Sequence, residues 1–166
     1  MAHARRLVER RRDGRVLVIS MRRAEKRNAI DRALADALDA ALNELDDDER
    51  LWAGVLTGTP DVFSAGSDLT AGGDYVTSRG GEYGIIRRNR RKPLVAAVEG
   101  PALGGGLEIV LACDLVVAAT SARFGSRAKR RRTDLARRRH PARSRLPLPI
   151  PQREQGHHSA RRLCPH

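Results

Sequence analysis

An α/β fold is predicted for residues 1–126, and three features of the sequence predict it. Short apolar runs at 55–57, 94–98 and 115–118 are each bounded by turn residues, as buried strands are. Ahead of the first of these runs, leucines recur every three or four positions, the period of a helix with one apolar face. Charge also divides the chain sharply. Up to Ala122 there are 18 Lys plus Arg and 18 Asp plus Glu, whereas the last 44 residues hold 14 basic and two acidic ones and so carry the whole net charge of +12. Two units follow from this break: a domain over 1–126 and an Arg/Pro-rich tail over 127–166.

In chain order, Arg6 to Glu9 and Arg15 to Ser20 flank Asp13-Gly14, a dipeptide suited to the positive backbone angles of a tight hairpin turn. An opening two-stranded ribbon is expected. Asp31 then caps a helix that buries Leu34, Leu38, Leu42 and Leu45, with Asp36, Asp39 and Glu44 on its solvated face. The acidic run 46–49 is expected in the connection after it, also in solvent. Residues 72–91, rich in glycine and charge, read as a mobile loop or helix above a site, and Leu107 to Cys113 as a buried helix. Strands alternating with helices make a layered α/β arrangement.

Several chemistries are disfavoured. His3 is the only histidine before residue 140, so a hydrolase triad would have to borrow from the tail. Cys113 and Cys164 sit in unrelated contexts, against a disulfide framework and in favour of a reducing compartment. His157, His158, Cys164 and His166 have no recognised metal-ligand spacing, so no metal is expected. No apolar run reaches the ~18 residues of a membrane helix, and Glu9 directly after Leu7-Val8 breaks any signal-peptide apolar region. The cytoplasm is the expected location.

Two segments carry potential chemistry. In residues 92–114 an apolar strand runs into Gly104-Gly105-Gly106, where a helix begins. Glycines there let a ligand approach the backbone, and the free amides of a first helical turn suit a developing negative charge. Glu108 follows within that turn, as a helix-capping carboxylate or as an acid or base beside the anion. A dinucleotide fingerprint fits poorly, because Ile109 stands where its third glycine belongs and no acidic residue lies about 20 positions on. In the second segment, 55–69, an apolar strand leads to the small-residue turn Ser64-Ala65-Gly66-Ser67, whose backbone amides are little covered by side chains.

Taken together, RNAID at 27–31, FSAGSDL at 63–69 and AVEGPALGGGLE at 97–108 resemble three consecutive signatures of the crotonase (enoyl-coenzyme A hydratase/isomerase) family, in family order. DLVVAA at 114–119 and Phe124-Gly125 extend the match. The resemblance implies a crotonase-like ββα superhelix, here incomplete, and assembly as trimers or paired trimers. It implies stabilisation of a thioester enolate by two backbone amides, those of Ser67 and Gly105. Ser67, Asp68, Leu69 and Thr70, with Gly105, would line the acyl-coenzyme A site, and Lys26 would approach the coenzyme phosphates. Many relatives have alanine at the position of Ser67, a difference a backbone donor tolerates.

No cofactor is implied, coenzyme A being part of the substrate. Hydratases of the family use two glutamates, and Glu108 matches the first. The second would stand in Phe-Gly-x-Pro-Glu, where this chain reads Phe124-Gly125-Ser126-Arg127-Ala128, so Ala128 replaces it. A reading-frame change near Ser126 is the simplest account of the abrupt end of the pattern. The function implied is enoyl-coenzyme A hydratase-like, in fatty-acid metabolism, with activity weak or lost. A non-catalytic remnant is one alternative. The other starts from the tail clusters 129–132 and 137–140, which would bind nucleic acid or anionic surfaces nonspecifically, since the tail lacks the aromatic residues used for base stacking. The tail's prolines favour a disordered chain.

Overall fold

The computed structural model describes residues 7–73 and 75–126. The expected Arg/Pro-rich tail and the Arg127 and Ala128 substitutions lie outside the described residues.

Strands β1 (Val8–Asp13) and β2 (Val16–Met21) form the opening antiparallel ribbon, with Gly14 at the turn in a left-handed conformation. The first strand lies further along the chain than its apolar residues suggest. Its arginines are exposed, yet Arg10 and Arg12 are held by Glu44. Helix α1 (Arg32–Asp47) begins where Asp31 accepts a hydrogen bond from the Leu34 amide at 2.8 Å, a side-chain cap for one of the first turn's unpaired donors. Leu34, Leu38, Leu42 and Leu45 are buried on its inner face.

Strands β3 (Ala53–Thr57), β6 (Leu94–Val98) and β8 (Leu115–Ala118) join β2 in parallel, giving a five-stranded sheet ordered β1-β2-β3-β6-β8. Leu17, Ile19, Met21, Leu56, Leu94, Ala96 and Val98 turn towards α1 and form the core with its leucines.

After each inner strand the chain turns sharply out of this sheet. Strand β7 (Pro101–Leu103) follows β6 and pairs in parallel with β9 (Arg123–Gly125), which follows β8 in the same way. Ser64, beyond β3, bridges Ala102 on the other side of β7. Three successive passes of the chain therefore repeat one bend, each stacked beside the last. Helix α2 (Gly105–Leu111) leaves the end of β7. The order β1-β2-α1 and β6-β7-α2 is that of a ββα superhelix.

Four expectations need correction. The segment 72–91 is not a helix. It holds the two-residue strands β4 (Val76–Thr77) and β5 (Gly81–Glu82), with Tyr75, Tyr83, Ile85 and Arg88 buried. Asp39 and Asp46 are buried rather than solvated, because Arg88 enters between them: it donates to Asp39 at 3.1 Å, to Asp46 at 3.3 Å and also to Asn43. A charged residue on the far side of an apolar helix stripe is indistinguishable by period from a solvated one until its partner is known. Strand β8 is exposed, Leu115 and Val117 at 64% each, because no described strand lies beyond it. The second helix starts two residues earlier than expected and buries Ile109 and Val110 but leaves Leu111 in solvent.

Removing one partner of a buried charge cluster leaves the others unpaired, which typically costs about 3–5 kcal/mol. Arg88→Ala is therefore expected to lower the urea midpoint by an amount equivalent to about 3 kcal/mol. A loss below about 1 kcal/mol would mean that water replaces the guanidinium there.

Candidate active site

The bends after β3 and β6 are fastened to each other by Ser64. Its amide donates to the Pro101 carbonyl at 3.2 Å, its own carbonyl accepts from the Leu103 amide at 2.9 Å, and its hydroxyl donates to the Asn28 carbonyl at 2.8 Å while accepting from the Gly66 amide at 3.1 Å. Asn28, fully buried with a left-handed φ of 50°, donates through Nδ2 to the Phe63 and Val62 carbonyls and accepts from the Arg23 amide through Oδ1. Asparagine tolerates this backbone conformation better than most residues. RNAID and FSAGSDL thus form one hydrogen-bonded unit.

Each glycine of the cluster answers a different demand. Gly104 has φ 52° and donates to the Gly125 carbonyl at 2.8 Å, which ties the turn to the Phe124-Gly125 strand. A methyl group on Gly105 would sit 2.8 Å from the Tyr83 ring, and one on Gly106 would sit 2.7 Å from the Ser64 carbonyl oxygen. Across the gap, a methyl group on Gly66 would lie 3.2 Å from the Gly105 nitrogen and 2.7 Å from the Leu103 carbonyl. The backbone at Gly66 therefore lies so close to residues 103–105 that no side chain fits between them. Residues 67 and 105 come together although 38 positions separate them in sequence.

Flanking bonds leave the two amides available. Gly66 gives its carbonyl to the Ile30 amide and Asp68 gives its amide to the Ile30 carbonyl, so Ile30 brackets Ser67 from one side. Among the described residues, neither the Ser67 nor the Gly105 amide has a recorded acceptor. Glu108 is exposed, one turn into α2, on the helix that Gly105 opens.

The other predicted contacts divide. Asp68 is buried, and its carboxylate accepts from the Thr70 hydroxyl at 2.6 Å, the Thr70 amide at 3.0 Å and Arg23 at 2.9 Å. These bonds hold its pKa well below the usual carboxylate range, at about 2, the Thr70 bonds contributing most. Its side chain is thereby committed to the loop. Leu69 is exposed at 83%, and Thr70 is exposed beside it. Lys26 is exposed on a short 3-10 turn (Ala24–Lys26), and no hydrogen bond joins its side chain to the paired loops. Cys113 is a free thiol whose pKa burial pushes up to about 11, so it is a poor nucleophile near neutrality.

Tyr83 is the residue that sequence reasoning missed. Its hydroxyl lies 2.9 Å from Ser67 Oγ, its ring lies over Gly105, and the charge of Glu108 acts on it. The residue is 5% exposed and adopts a left-handed φ of 54°. A tyrosine between glycines at 81 and 84 was the available signal, since such a stretch suits a turn that places one large side chain.

Among the described residues no cluster of His, Cys, Asp and Glu has the arrangement of a metal site, and no helix is long and apolar enough to cross a membrane. What remains is two chain bends whose backbones meet beside a carboxylate, an arrangement suited to holding a negatively charged oxygen.

Comparison with known proteins shows the family to which this fold belongs. The profile of the enoyl-CoA hydratase/isomerase family matches residues 11–130, and the chain belongs to that family. It is 40% identical over 119 residues to a probable enoyl-CoA hydratase of Rhizobium meliloti, covering 68% of this chain and 46% of that protein. A short-chain-enoyl-CoA hydratase of Clostridium acetobutylicum is 36% identical over 121 residues, covering 68% and 46%. Among solved structures, a probable enoyl-CoA hydratase/isomerase from Mycobacterium abscessus is 42% identical with a TM-score of 0.68, covering 72% of this chain and 48% of that one. The chain spans about half the length of the curated relatives it matches.

Asp68 gives the loop a pH signature. A carboxylate whose folded pKa is lowered from 3.8 to about 2 stabilises the fold fully above the unfolded value and loses that contribution as pH falls towards the folded one. Stability should therefore drop between about pH 4 and pH 2, and Asp68→Asn should flatten that part of the profile in urea titrations. An unchanged slope in the variant would assign the acid sensitivity elsewhere. Gly106→Ala should destabilise by about 1–3 kcal/mol, since the added methyl meets the Ser64 carbonyl, and a neutral result in the same titrations would contradict the close contact.

Proposed function

We propose that this chain binds the thioester group of an acyl-coenzyme A and polarises its carbonyl between the amides of Ser67 and Gly105, with Glu108 as the acid-base group of an enoyl-coenzyme A hydratase-like reaction. The observation that supports this reading is the close approach of the Gly66 backbone to the Gly105 nitrogen. Membership of the enoyl-CoA hydratase/isomerase family supports the choice of thioester.

In this reaction a water oxygen bonds to the β-carbon of a 2-enoyl thioester while Glu108 takes the proton it releases. The carbon-carbon π electrons move to the thioester oxygen, and the two amides hold the enolate charge. The enolate then collapses back to the thioester as its α-carbon takes the proton from Glu108, leaving a 3-hydroxyacyl thioester. With Ala128 at the matching position of a second glutamate, one carboxylate serves both transfers. Slow turnover is the expected consequence. The free amides need no rearrangement to receive the charge, which makes thioester binding the more robust of the two activities. Asp68 contributes by fixing the loop, and the exposed Leu69 and Thr70 are the side chains of that stretch open to the ligand.

Two measurements test this. Acyl-coenzyme A is expected to raise the thermal midpoint of the chain more than free coenzyme A does, because the thioester oxygen supplies the acceptor. Glu108→Gln should lower hydration of crotonyl-coenzyme A by at least about 100-fold, followed by loss of the enoyl absorbance, while leaving the thioester-dependent stabilisation intact. Unchanged turnover in that variant would remove Glu108 from the chemistry.

A further inference from the structure

Tyr83 touches both halves of the amide pair. Its hydroxyl is 2.9 Å from Ser67 Oγ, and its ring and hydroxyl oxygen come within 2.8–3.0 Å of where a Gly105 side chain would begin. The placement of Tyr83 is itself constrained. Its amide donates to the Tyr75 carbonyl at 2.9 Å, and the two rings pack with centroids 5.5 Å apart. Tyr75 in turn donates its hydroxyl to the Asp68 carbonyl at 2.8 Å, one residue beyond Ser67. Both tyrosines therefore tie the segment 75–83 to the loop 67–68, and Tyr83 alone reaches across to Gly105.

The backbone at Tyr83 has the left-handed φ of 54°, a conformation that a residue with a Cβ adopts only where its surroundings enforce it. Burial pushes the phenol pKa up, and the charge of Glu108 raises it further against the lowering effect of the Ser67 bond. The group stays a neutral hydroxyl at physiological pH.

We propose that Tyr83 is a positioning residue of this site: by lying over Gly105 and hydrogen-bonding Ser67, its side chain holds the two amides at the separation that one thioester oxygen requires. This rests on the acyl-thioester reading given above. Without the bond, the loop keeps its attachments to Ile30 and to the Tyr75 hydroxyl, but Ser67 loses its side-chain link to the ring that lies over Gly105. Small displacements matter here, since hydrogen bonds to an oxyanion weaken steeply once distance and angle depart from their optimum. Ser67 is consequently more than a small residue at a tight turn.

The test uses 4-(dimethylamino)cinnamoyl-coenzyme A, a thioester whose absorption moves to the red as its carbonyl is polarised, with the full-length chain. The wild-type chain is expected to bind the probe with a red shift. Tyr83→Phe, which keeps the ring, and Ser67→Ala, which keeps the amide, should each lose about half of the shift per bound probe or more while affinity changes less than about threefold. The double variant should lose no more than either single one, because both remove the same bond. Retention of the full shift per bound probe in both single variants overturns the positioning role, even where affinity falls, and leaves the thioester reading standing. Absence of binding or of any shift in the wild-type chain overturns the thioester reading and this role with it. Should Tyr83→Phe fail to fold by circular dichroism, Ser67→Ala decides the matter alone.

Discussion

The hydrogen bonds of Ser64 are the constraint on which the site depends. Through backbone and hydroxyl together, this one residue fixes the bend after β3 to the bend after β6 and to the Asn28 turn. Each bond alone is worth only about 0.5–1.5 kcal/mol net, but leaving any of these buried groups unpaired costs more. The arrangement is thus held less by the strength of its bonds than by the cost of the alternatives. Gly106 has no side chain because the Ser64 carbonyl occupies that space, and Gly66 has none because the Leu103 carbonyl does. Close approach of the two backbones follows, with Gly66 against residues 103–105.

Charge does its work at a different level. Arg88, buried between Asp39 and Asp46, docks the segment 75–91 onto the outer side of α1, and the Arg23 contact to Asp68 steadies the loop beyond Ser67. Neither pair reaches the amides. Their effect on the site is geometric, since the docked segment delivers Tyr83 and the steadied loop presents Ser67 to it. In the proposed site the donors are backbone groups, and side-chain charge sets where the backbone stands.

How much of this was legible in sequence depended on whether the signal was local. The Asp13-Gly14 turn, the Asp31 cap and the leucine stripe of α1 are short-range, and the hairpin turn and the helix lie where those signals put them, while β1 runs on to Asp13 through charged residues that carry no apolar signal. The sharing of one place by residues near 67 and 105 was readable only through resemblance, because no period links residues so far apart. The fate of Asp39, Asp46 and Tyr83 was not readable, since each depends on the fold of a glycine-rich segment that has no periodicity. Strand β8 carries the apolar pattern of a buried strand yet is exposed, because a pattern records what a strand is suited to pack against and not what lies beside it.

The central claim is that the Ser67 and Gly105 amides donate to one oxygen. Amide proton and nitrogen NMR spectra of the labelled chain, titrated with a saturated acyl-coenzyme A and with coenzyme A alone, address it directly. The account predicts that the Ser67 and Gly105 amide protons move downfield together, along one binding curve, with the thioester and not with the free thiol. Downfield movement of only one of them, or of neither while the ligand binds, would contradict it.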